Sequence, residues 1–225
     1  MRKKLFLYGL YGLAGLLITA ALAFKIFQPV QVVPRIRLSP GFILIDQNGR
    51  SLTNEDLRGK FVLYNFTYTR CPDPCAGMNA TIQEIQRRLG EANLGDIEMV
   101  FVTISFDPDY DTPERLAAYA QSLNADPQQW IFATTQDKAL LKTIIGAGFE
   151  AYYEPDGEGG FRFDPKFVLV DGWGVIRGEY RYQTQVPDTE RILRHIRVLA
   201  EEVHNSKGAA SLAYEAAHYF LCYTP

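Results

Sequence analysis

A basic stripe, an internal repeat, a low-complexity tract and a second apolar run long enough to cross a membrane are all missing from this chain. Its 23 Lys and Arg residues are scattered among 26 Asp and Glu, for a net charge of −3. That balance offers no electrostatic footprint for nucleic acid. At 225 residues the chain suffices for one domain with a full core plus appendages, and is too short for two. Apolar residues at 47% and charged residues at 22% are ordinary for a globular protein. Cysteine and histidine are scarce, with three of each.

What is present begins at the first residues. Arg2, Lys3 and Lys4 precede an apolar run from Leu5 to Phe27 that is interrupted only by glycines, a threonine and Lys25. About 20 residues at ~1.5 Å rise cross a bilayer core of about 30 Å. Residues 1–27 therefore read as a single-pass anchor in the cytoplasmic membrane. The basic flank stays cytoplasmic, and everything after Phe27 lies on the periplasmic, extracytoplasmic side. A cleaved signal peptide is the competing reading, with Ala21-Leu22-Ala23 resembling a peptidase site. Both export the rest of the chain. In an exported chain a close cysteine pair can be a disulfide, a dithiol kept reduced by a partner, or a metal site.

Gln28 to Pro40 carries three prolines and reads as an extended linker holding the domain off the membrane. A domain over 41–204 follows, then a tail over 205–225. Gly41 to Leu52 reads as a hairpin. Phe61 to Phe66 and Ile97 to Ile104 read as buried strands. Helices are expected from Cys75 to Leu89, from Thr112-Pro113 to Leu123, from Gln136 to Ile145 and from Pro187 to Val203. Trp130 to Ala133 is strand-like, Tyr153 to Gly160 reads as a loop, and Phe167 to Tyr182 as a hairpin around Asp171-Gly172. The expected fold is α/β: a mixed parallel and antiparallel sheet with helices on both faces. In the tail, Ala209 to Leu221 reads as a helix that packs on the domain, the anchor or a partner. Cys222 stays open between a buried thiol, lipidation and an intermolecular bond.

Cys71-Pro72-Asp73-Pro74-Cys75 sits where a buried strand gives way to a helix, the position at which thioredoxin-like folds hold reactive thiols. A helix N-terminus stabilises thiolate, and Arg70 adds a nearby cation. A stiff loop with two prolines lets the pair close a disulfide or grip a soft ion such as Cu(I). A purely structural disulfide is the plain alternative.

The segment Asn65-Phe66-Thr67-Tyr68-Thr69-Arg70-Cys71-Pro72-Asp73-Pro74-Cys75 resembles the signature of the Sco/SenC proteins. Asp107-Pro108-Asp109-Tyr110-Asp111-Thr112-Pro113-Glu114 resembles a second segment of that family. The similarity covers roughly Ser39 to Leu199. It implies a membrane-anchored, thioredoxin-like protein of the respiratory chain that assembles the copper site of cytochrome oxidase, with Cys71 and Cys75 as copper ligands. The family's third ligand is a histidine eight residues before the aspartate that ends the following strand; counting back from Asp171 gives Phe163. Two thiolates can still hold Cu(I), while Cu(II) binding of the family's kind loses its support. The other histidines read as bland: His195 stands among Arg191, Arg194 and Arg197, as on a solvated face, and His204 and His218 belong to the tail. Pro165 either supplies the proline that faces the cysteines in TlpA-like redox proteins or simply opens a strand.

Three functions follow. The first is Cu(I) binding or delivery for cytochrome oxidase assembly through Cys71 and Cys75. The second is a thiol-disulfide oxidoreductase acting on copper-site cysteines, the only enzymatic reading, with Cys71 attacking and Cys75 resolving. The third is an accessory, non-copper subunit held in a membrane respiratory complex by anchor and tail.

Overall fold

The computed structural model describes residues 2–27, 30–72, 74–182, 188–208 and 210–220. Gln28, Pro29, Asp73, Pro187, Ala209, Leu221 and Cys222 lie outside the described residues. The elements run α1 (Arg2–Phe27), β1 (Arg37–Leu38), β2 (Ile43–Asp46), β3 (Ser51–Thr53), β4 (Phe61–Thr67), α2 (Cys75–Arg88), β5 (Met99–Ser105) and α3 (Pro113–Ser122). They continue with β6 (Trp130–Thr134), α4 (Lys138–Leu141), β7 (Tyr153–Pro155), β8 (Phe161–Phe163), β9 (Lys166–Val170), β10 (Val175–Arg181), α5 (Asp188–Asn205) and α6 (Ala210–Phe220).

All seven residues of β4 and all seven of β5 are buried, which places both strands at the centre of the sheet. The order is β1-β10-β9-β4-β5-β6-β2-β3, with β4, β5 and β6 parallel and the other pairs antiparallel. Successive side chains leave a strand on opposite faces, so each central strand feeds two cores. Phe61, Leu63 and Phe101 pack with Met78 and Ile82 of α2, Leu116 of α3 and Ile196 of α5. Tyr64, Phe66 and Val102 pack with Leu141, Ile144 and Phe149 on the other face. The sheet is mixed with helices on both faces, as the alternation of elements requires.

Helix starts follow local chemistry. Thr112 caps α3, its hydroxyl accepting from the Arg115 N–H, with Pro113 in the first helical position. Asp137 caps α4 through the Leu140 N–H at 2.9 Å. The single helix expected from Gln136 to Ile145 is corrected here. The α-helical part stops at Leu141, and Lys142–Gly148 opens into a π-helical turn, in a stretch that Gly146 and Gly148 make a poor α-helix.

The loop expected from Tyr153 to Gly160 is also corrected, because β7 and β8 form a hairpin with Tyr153 opposite Phe163. Asp156 makes the turn: its Oδ1 accepts from the N–H groups of Glu158 and Gly160 at 2.8 and 2.9 Å. Gly157 and Gly159 take the positive φ angles of +86° and +91° that this tight turn needs.

His195 does not lie on a solvated face. It is buried on α5, with its Nδ1 2.7 Å from the Tyr180 hydroxyl. Arg191, Arg194 and Arg197 stand near it in sequence, but three of its four helix neighbours at three and four positions, Ile192, Val198 and Leu199, are core residues, the fourth being Arg191. Burial lowers its pKa from 6.5 to about 4. The folded value lies below the unfolded one, so the unfolded chain binds more protons between the two. Stability is therefore full above about pH 6.5 and falls as acid takes the pH toward about 4, by about 3 kcal/mol at most. Denaturant midpoints across that range should show the slope, and His195→Gln should flatten it.

The segment before β1 is fastened to the domain rather than free. Val32 and Val33 are fully buried. Arg177 donates to the carbonyls of Val33 and Pro34 at 2.7 and 3.1 Å. Arg177 is itself buried between Asp171 at 2.8 Å and Glu202 at 2.7 Å. The tail helix α6 joins the same cluster: His218 Nε2 lies 2.9 Å from Glu202, Arg35 pairs with Glu215 at 2.9 Å, and Ala217 is buried. In α1, the window Phe6–Ala23 is by length and composition able to cross a membrane, and none of it is buried.

Candidate functional site

Cys75 is the first residue of α2, immediately after the loop that leaves β4. Cys71 and Cys75 form a disulfide with their Cα atoms 5.9 Å apart. The turn that brings them together is closed by backbone bonds from Cys71 N–H to the Tyr68 carbonyl at 3.1 Å and from Cys75 N–H to the Pro72 carbonyl at 2.9 Å. Cys75 is buried, and the Thr67 hydroxyl stands 2.6 Å from its sulfur. Cys71 is half-buried and reaches a surface hollow of about 330 Å³. An incoming group therefore meets Cys71 first.

The hollow is aromatic on its inner side. Tyr68, Phe161 and Phe163 line it, together with Asp156 and Arg162 at the hairpin. Phe106 lies beneath, with ring centroids 5.5 Å from Tyr68, 5.2 Å from Phe161 and 5.3 Å from Phe163. Phe163, at the position where the family resemblance places a histidine, thus shares the hollow with Cys71. Pro165 immediately precedes β9 and is not among the residues that line the hollow. Among the described residues no histidine lines it: His195 meets Tyr180, His218 meets Glu202, and His204 stands against Gly95.

The two motifs of the sequence meet in space. Asp111 is fully buried and accepts from the Thr69 N–H at 2.9 Å, from the Thr69 hydroxyl and from the Ser105 hydroxyl. Asp107 pairs with Arg70 at 2.6 Å, and the Arg70 guanidinium stacks on Tyr110 at 4.2 Å. The cation expected to assist the thiolates is therefore directed at Asp107 instead. The second motif acts as a brace for the first. Replacing Asp111 with alanine leaves the Thr69 N–H and the Ser105 hydroxyl without their acceptor. A stability loss of about 2–3 kcal/mol is expected in guanidinium unfolding of the oxidised chain.

Sequence reasoning found Cys71, Cys75 and Phe163 but missed Tyr68, Asp156 and Phe161 as their surroundings. The available signal was the alternation Phe161-Arg162-Phe163 after a run of turn-forming residues.

A cysteine pair at the strand-to-helix junction of a mixed sheet, with helices on both faces, defines a thioredoxin-like thiol domain. The profile of the SCO1/SenC family matches residues 32–201, and the chain belongs to that family. A Stutzerimonas stutzeri protein described as a copper-binding candidate is 29% identical over 170 residues, covering 74% of this chain and 80% of that protein. A SCO1/SenC family lipoprotein from Bacillus anthracis superposes with a TM-score of 0.66 at 27% identity, over 73% of this chain and 96% of that one. Bradyrhizobium japonicum ScoI, solved with copper bound, superposes with a TM-score of 0.56 at 27% identity, over 71% and 99%.

Proposed function

We propose that this chain is an assembly factor for a respiratory oxidase that holds Cu(I) as cargo between the thiolates of Cys71 and Cys75. In this reading α1 anchors it in the cytoplasmic membrane and the domain stands on the periplasmic side. The observation that carries the reading is the cysteine pair itself, close enough to bond, with Cys71 open to the hollow and Cys75 held inside. The copper-bound Bradyrhizobium relative supports it. The disulfide is the oxidised form. A dithiol on a partner reduces it by exchange: the partner becomes a disulfide, and its two electrons and two protons leave Cys71 and Cys75 as thiols. Cu(I) then displaces the two thiol protons, as a soft ion does at soft ligands. Phe163 donates nothing, so the protein supplies two ligands and leaves room for a partner's.

The closed disulfide also favours a second reading, thiol-disulfide exchange. There the Cys71 thiolate attacks a target disulfide and forms a mixed disulfide. Cys75 then displaces the target's thiolate, leaving the target reduced and Cys71–Cys75 oxidised. The accessory-subunit reading drew on the apolar tail, and α6 meets Arg35 and Glu202 of its own chain through Glu215 and His218.

Anaerobic titration of the reduced chain with Cu(I), against a competing chelator, separates the two readings. Stoichiometric binding that is lost in Cys71→Ser and in Cys75→Ser supports copper handling. No binding by the reduced chain, with Cys75→Ser trapping a mixed disulfide on an oxidase subunit, supports exchange instead.

A further inference from the structure

The attachment point of the domain fixes which way its thiols face. Only residues 28–31 separate the end of α1 from Val32, where the chain is already buried in the domain. Fully extended, the stretch from Phe27 to Val32 reaches at most about 17 Å. Val33 and Pro34 are gripped through their carbonyls by Arg177, which is held by Asp171 at the end of β9. This is the end of the sheet at which β4 begins, since Val170 pairs with Val62. The cysteines follow the last residue of β4, at the opposite end. Seven residues of β4 at ~3.3 Å each set the two ends about 20 Å apart.

The tethered end carries apolar side chains that no part of the described chain covers. Trp173, in the turn between β9 and β10, is 79% exposed. Leu38 on the adjoining β1 is 70% exposed and Ile36 is 47% exposed. They belong to one edge: Leu38 pairs with Val175, and the Ser39 N–H donates to the Gly174 carbonyl at 2.8 Å. Arg58 donates to the Trp173 carbonyl and so places a guanidinium at the backbone of the same turn, where it also pairs with Glu55. An exposed indole, within a short tether of a membrane helix, suits the headgroup layer, where amphipathic rings settle.

We infer that this end of the sheet, with Trp173 at its tip, rests in the headgroup layer of the bilayer that α1 spans, and that Cys71 and Cys75 face away from the membrane. The inference rests on the anchor reading given above. It constrains the partner as well. The group that exchanges copper or thiols with Cys71 must stand about 20 Å or more above the headgroups, on a domain that projects from the membrane.

The chain carries its own reporters, because Trp130 is fully buried and Trp173 is the exposed tryptophan. The full chain is placed in phospholipid nanodiscs containing headgroup spin-labelled lipid, and tryptophan emission is recorded with and without the label. A fluorophore on Cys71, in a Cys75→Ser, Cys222→Ser background, reports the other end. The expected result is strong quenching of tryptophan emission that Trp173→Phe removes, with the Cys71 fluorophore unaffected. A chain retained in nanodiscs whose Trp173 is unquenched overturns the inference, leaves the anchor reading intact and assigns the patch to a protein partner. Quenching at both ends overturns the orientation. A chain that does not stay with the nanodiscs overturns the anchor reading and the inference with it.

Discussion

Phe163→His is expected to convert the proposed two-thiolate site into a three-ligand site. Cu(I) affinity should rise on the order of tenfold or more, equivalent to at least ~1.4 kcal/mol. A larger qualitative change is expected with Cu(II). The parent chain should not hold it, whereas the variant should show a thiolate-to-Cu(II) charge-transfer band. The reason is local. Phe163 lines the same hollow as Cys71, so an imidazole there starts beside the thiol without rebuilding the loop. The substitution trims an aromatic cluster in which Phe163 meets Phe106 at 5.3 Å and Tyr68 at 6.3 Å. A stability loss of about 1 kcal/mol is the expected accompaniment. Titration with each oxidation state, followed by visible absorption, checks both parts. Unchanged binding would place Phe163 outside the metal's reach.

Arg177→Met is expected to be the most damaging single change outside the thiol site. Arg177 is buried between Asp171 and Glu202, and its other donors hold the carbonyls of Val33 and Pro34. Removing it leaves two buried carboxylates without their shared cation, which costs about 3–5 kcal/mol. For a domain of this size that corresponds to a fall in Tm on the order of 10 °C. The same loss frees the segment at Val33 that joins anchor to domain. Thermal unfolding followed by circular dichroism gives the first effect. Faster proteolysis near Val33 at a temperature where the domain is still folded gives the second.

The central sheet was legible in the sequence because β4 and β5 are short, mostly apolar runs, broken inside only by Asn65 and Thr103, bounded by turns and followed by periodic helices. The position of Cys71 and Cys75 was legible for the same reason: a pair placed between such a strand and such a helix has one location in the fold. What lay hidden was long-range or three-dimensional. His195 stands among arginines in sequence, and only the helical repeat, counted by threes and fours, places it among Ile192, Val198 and Leu199. The β7–β8 hairpin was masked by its own turn, whose glycines and acids read as a loop when the two three-residue strands are too short to show alternation. The fastening of Val33 depends on Arg177, more than a hundred residues away, and no local pattern announces such a contact. Prolines suggested a spacer, but proline also suits an extended segment pinned through its carbonyls, which needs no N–H.

X-ray absorption at the copper edge of the anaerobically Cu(I)-loaded full chain tests the central claim most directly. The account predicts a first shell dominated by two sulfur scatterers, lost together when Cys71 or Cys75 is replaced by serine. A shell containing a histidine nitrogen from this chain, or a chain that retains no copper once its disulfide is reduced, contradicts it.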